Sequence, residues 1–98
     1  MKCEVLFETK RVSGGEYFNT KIISMCGKKF KIVYESRNGR SSLDVDIMNS
    51  DGAFVHLLSK YTLGFVHSVN YVSDEHNKDK DFYKGFELCK EVISKIYG

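Results

Sequence analysis

The 98-residue chain has no proline and no tryptophan, and Ala53 is its one alanine. Lysine, asparagine, serine and tyrosine are plentiful instead, the bias expected of an AT-rich bacterial or viral genome. No stretch approaches the length of a membrane-crossing helix. The amino-terminal run in MKCEVLFET is broken at Glu8, before it reaches the length of a signal-peptide hydrophobic region. Cytoplasmic residence without a membrane partner is therefore the expectation. Cys3, Cys26 and Cys89 are widely spaced, include no CxxC pair and are odd in number, which fits a reducing compartment and leaves at least one thiol unpaired in a monomer. Cys3 and Cys89 fall in phase with the apolar positions around them and read as small buried hydrophobes. Cys26, beside Gly27 in a turn and next to Lys28 and Lys29, is expected to be exposed.

Catalytic constellations are missing as well. His56, His67 and His76 show neither HxxxH nor Cys/His ligand spacing, which argues against a structural zinc site. His67 shares a strand face with Phe65, Val69 and Tyr71 and reads as a partly buried histidine. Asp44 and Asp46 share a strand face and resemble a carboxylate pair for a hard cation. Lys31 opposite Asp46 offers a simpler role, and no third acid is placed beside them. Ser13-Gly14-Gly15 lacks the lysine spacing and the following helix of a phosphate-binding loop. No nucleophile stands beside a base. Catalytic residues, metal and cofactor are accordingly assigned as none, and an enzyme is the least favoured class.

What the chain does contain is an architecture. A composition of 42% hydrophobic and 29% charged residues describes one domain spanning 1–98, too small to support a deep enclosed cavity. The strongest local signal is Asn38-Gly39, a two-residue hairpin turn flanked by alternating runs from Lys29 to Met48. That turn pairs Tyr34 with Leu43, Ile32 with Val45 and Phe30 with Ile47 on one face. Glu35/Ser42, Val33/Asp44 and Lys31/Asp46 fall on the other, and a one-residue slip would destroy the sorting. Residues 2–9 alternate as a strand, with Cys3, Val5 and Phe7 on one side, Glu4 and Glu8 on the other, and Leu6 out of phase. Lys10 to Glu16 reads as a loop, Tyr17 to Met25 as a β-branched and aromatic strand, and Cys26-Gly27-Lys28 as a turn of open register.

After Met48, the cluster Asn49-Ser50-Asp51-Gly52 breaks the sheet. Phe54, Leu57, Leu58 and Tyr61 then recur at helical spacing, with Ser50 or Asp51 as cap and Gly64 near the end. Phe65 to Val72 reads as a strand, and Ser73 to Lys80 as a charged loop. From Asp81 to Tyr97, Phe82, Phe86, Cys89, Val92, Ile93 and Ile96 trace one helical face, with Asp79 as amino-terminal cap and Gly85 allowing close approach. The fold class expected is thus α+β: an antiparallel β-meander of four to five strands, a C-terminal amphipathic helix packed on one face, and a short helix at about 52–61. Five strands span about 19 Å while one helix covers about 10 Å. If residues 53–61 form a strand instead, apolar surface stays open for a partner or a second copy.

Charge is uneven. Residues 10–40 hold eight basic and two acidic side chains, a net +6, in a chain whose total is +2. The candidate partner- or phosphate-binding residues are Lys10, Arg11, Arg37 and Arg40 at one end of the meander and Lys28 and Lys29 at the other. A pI near 8.4 falls short of a strongly basic nucleic-acid binder. Tyr17, Phe18, Phe30 and Tyr34 could stack bases, but core packing explains Phe30 and Tyr34 more simply. The function expected is a small non-catalytic module that binds a protein partner, as an accessory regulator or inhibitor of phage or mobile-element type. The alternative is a DNA- or RNA-binding protein using its basic turns, and a homodimer is compatible with either.

Overall fold

The computed structural model describes residues 2–38, 40–59 and 77–98. Five antiparallel strands lie in chain order across one sheet: β1 (Cys3–Ser13), β2 (Glu16–Met25), β3 (Lys28–Arg37), β4 (Arg40–Met48) and β5 (Phe54–Ser59). Helix α1 (Lys78–Tyr97) packs on one face. The strand expected at 65–72, with His67, and His76 beyond it, lie outside the described residues.

The β3–β4 hairpin has the register its alternation predicts, Tyr34 facing Leu43, Ile32 facing Val45 and Phe30 facing Ile47. Cys26 and Gly27, at φ 55° and 72°, make a two-residue loop that joins Met25 to Lys28. Two consecutive positive φ values match the strand twist. The loop also resolves the open register of β2: Ile23 and Met25 are buried, whereas Phe18 and Ile22 turn to the opposite face. Cys26 is half-buried against the core rather than exposed.

Several expectations are corrected. Lys10 to Ser13 are not loop: they continue β1 opposite Glu16 to Asn19, so that Gly14-Gly15 is a tight turn. A register shift between Val5 and Phe7 makes Leu6 an extra residue. Phe7 therefore faces Ile22 on the outer surface, and Glu8 faces Lys21 on the helix side, the reverse of strict alternation. Cys3 is half-buried and Cys89 fully buried, its thiol pushed up to about 12 by that burial.

The short helix expected at about 52–61 is not formed over its described residues, 52–59: Phe54–Ser59 is β5. The Asn49 side chain accepts from the N–H groups of Asp51 and Ala53 at 3.0 Å, and the Asn49 N–H donates to the Ala53 carbonyl at 2.8 Å. With Gly52 at φ 81°, this closes a turn and returns the chain along β4, where ladder hydrogen bonds outweigh the helical spacing. A second shift near Val45 leaves Leu57 extra, sending Leu58 into the core and Phe54 to the outer face.

The helix begins earlier than expected, and its cap is Asn77, whose side chain accepts from the Lys80 N–H at 3.1 Å; Asp79 lies inside the first turn. It runs antiparallel to β3, with the Phe82 ring 5.9 Å from Tyr34 and the Tyr97 ring 5.7 Å from Phe30. Phe82, Gly85, Phe86, Leu88, Cys89, Val92 and Ile93 are buried, while Ile96 is exposed and Tyr97 takes the last contact with the sheet. Among the described residues, one helix lies against five strands and covers one face only, about half its width.

Candidate functional site

Three places concentrate chemistry. At the Gly14-Gly15 end, Tyr17 and Tyr34 stand edge to face under the start of the helix, centroids 5.6 Å apart. Tyr17 donates its hydroxyl to Asp79 at 2.6 Å and Tyr34 donates to Asp81 at 2.5 Å. Lys10 meets the same Asp79 oxygen at 2.7 Å, and Lys78 donates to the Ser36 hydroxyl at 2.6 Å. The Lys10 and Tyr17 hydrogen bonds hold the Asp79 carboxyl below its usual range. Burial, reinforced by Asp79, pushes Tyr17 up to about 12; burial and the bond to Asp81 push Tyr34 higher still. Phenols so raised do not ionise near neutrality, and Asp79 is held by two donors. The cluster is a clasp that fixes the first helical turn on β2 and β3. Within it, Asn19 donates to the Tyr17 hydroxyl at 3.2 Å, while its own buried carbonyl oxygen has no hydrogen-bond partner among the described residues.

The basic residues separate. Adjacent Lys10 and Arg11 point to opposite faces, Lys10 to Asp79 and Arg11 to the outer surface, where its guanidinium lies 5.0 Å from the Phe18 ring. Arg37 covers the same ring at 5.1 Å and stands opposite Arg40 in the β3–β4 register. Arg11, Arg37 and Arg40 therefore share one corner. Lys28 and Lys29 sit at the far end, Lys28 over the Tyr97 ring at 5.5 Å. Of the acidic pair, Asp46 is engaged by Lys31 and His56, each at 3.8 Å.

The third place is β1 itself. It forms one edge of the sheet, and among the described residues nothing pairs with its free side. Every residue from Glu4 to Ser13 is exposed. Four are large and apolar: Val5 at 47%, Leu6 at 44%, Phe7 at 52% and Val12 at 64%. Natural edge strands are usually short. This one leaves ten exposed residues, and although Glu8 and Lys10 point to the helix side and a bulge interrupts it at Leu6, its Val-Leu-Phe run offers apolar contacts to another strand. This edge is hidden in the sequence, where Val5 and Phe7 look like core. The out-of-phase Leu6 was the one signal of the bulge that turns Phe7 outward.

Compared with protein-family models, with curated proteins and with solved structures, the chain matches none.

Proposed function

We propose that the chain is a non-catalytic interaction module that receives a protein partner along the open edge of β1. The observation that carries this reading is an eleven-residue edge strand whose four large apolar side chains are exposed. Strand addition supplies main-chain hydrogen bonds from the edge and side-chain contacts from alternate positions. An accessory regulator or inhibitor acts in this way, by occupying another protein's surface. The test is capture of a partner by the wild-type chain, followed by hydrogen exchange on the complex. Protection gained at residues 4–12, with binding lost in Leu6→Lys/Phe7→Lys and kept in Lys28→Glu, is the expected result. Protection elsewhere, or capture unaffected by the edge variant, overturns the reading.

The Arg11–Phe18–Arg37 row favours a second reading, contact with nucleic-acid phosphates. It expects a salt-dependent affinity whose slope falls in Arg11→Ala/Arg37→Ala; an affinity indifferent to salt removes it.

A further inference from the structure

We infer that the partner of the β1 edge is a second copy of this chain, joined β1 to β1 about a two-fold axis at Thr9 into a continuous ten-stranded sheet. The inference rests on the edge-binding reading above and deepens it.

Across a two-fold normal to the sheet, the strand pairs antiparallel with itself, and each contact occurs twice. Facing residues must share a face, so the axis falls on a residue rather than between two. The pairing of β1 with β2 puts Glu8, Lys10 and Val12 on the helix side and Phe7, Thr9 and Arg11 on the outer side. An axis at Glu8, Lys10 or Arg11 sets each of those charges against its own copy, which is destabilising. An axis at Thr9 sets Glu8 against Lys10 of the second copy, twice, and Phe7 against Arg11, twice. The exposed Val12 then meets the Val5-Leu6 bulge. Within one chain, Glu8 already lies 3.4 Å from Lys21, and Lys10 lies 2.7 Å from Asp79. On the helix side the junction therefore completes a row alternating in sign: Lys21, Glu8, then Lys10 and Asp79 of the second copy. The outer side gains two arginine–aromatic contacts. One strand thus uses its charges and its exposed apolar residues in a single self-complementary register.

The experiment is sedimentation of the full chain across concentration, with Glu8→Lys and Lys10→Glu separately and mixed. The wild type forms a dimer. Each single variant sets like charges opposite one another twice and weakens dimerisation about tenfold or more. The equimolar mixture restores both pairs and recovers near wild-type affinity. Circular dichroism checks that each variant is folded. Should either variant fail to fold, oxidation of Thr9→Cys in a background with Cys3, Cys26 and Cys89 changed to serine reads the same register: Thr9→Cys crosslinks about tenfold faster than Ser13→Cys, because two-fold-related Cβ atoms at the axis are close. A wild type that stays monomeric to about 1 mM, far above the micromolar range of modest interfaces, overturns the inference. So does a mixture no tighter than its components, or faster crosslinking at position 13. A monomer that nonetheless gains protection at residues 4–12 from another protein overturns only the self-pairing. A dimer unaffected by Leu6→Lys/Phe7→Lys overturns the edge reading with it.

Discussion

Asp81 is a fully buried carboxylate whose contacts include the Tyr34 hydroxyl. Removing that donor leaves a charge without part of its solvation, so Tyr34→Phe is expected to destabilise the fold by about 1–3 kcal/mol in denaturant titrations. Asp79 behaves differently because it is open to water. Its carboxyl is held low first by Lys10 and then by Tyr17, so its folded pKa lies below the unfolded one. The associated stability is present above the ordinary carboxylate range and is lost as pH falls through the lowered value. Lys10→Ala should raise the Asp79 titration midpoint, read by NMR, and remove part of the acid dependence. Solvent screening keeps the energetic effect small.

The elements are held by turns and caps whose geometry demands particular residues. Gly27 sits at φ 72° with open space where a Cβ would project, so Gly27→Ala meets backbone strain alone. A loss of about 1 kcal/mol with no change in fold is expected in thermal or denaturant unfolding. Asn77→Ala removes the acceptor for the Lys80 N–H and should also cost about 1 kcal/mol. Measured together, the two losses should add, since one turn lies at the far end of the sheet from the helix start. β5 shows how an element is decided. Phe54, Leu57 and Leu58 have helical spacing, yet Asn49 and Gly52 close a turn that offers the segment a waiting strand, and a register shift at Leu57 absorbs the mismatch.

At the scale of the molecule, the described residues place one helix on one face of five strands, so the two faces are unequal. Leu58 lies in the core on the helix side of the sheet, whereas Phe54 lies on the outer face under Lys31, whose ammonium is 5.2 Å from its ring. Leu58→Asp should abolish cooperative unfolding, because a charge buried without a partner costs several kcal/mol. Phe54→Asp should leave a folded protein with a near-native circular dichroism spectrum. Ile93→Ala, at the centre of the helix–sheet contact, should cost about 2–5 kcal/mol.

The β3–β4 pairing, the buried stripe of α1 and the presence of a turn at Cys26-Gly27-Lys28, though not its register, were legible in the chain, because period-2 alternation, period-3.6 spacing and glycine at a turn are local properties of the backbone. The Lys10–Asp79 clasp was not, since its two members are far apart in sequence and meet only when the helix docks across the sheet. Nor was the fate of Phe7: it depends on a bulge, and a bulge is set by how two strands compete for one register. The amino acids by themselves determined which segments could pair and which stripe would be greasy. Only the packed molecule decided which edge lies open among the described residues, because exposure is a property of what lies beside a strand rather than of the residues within it.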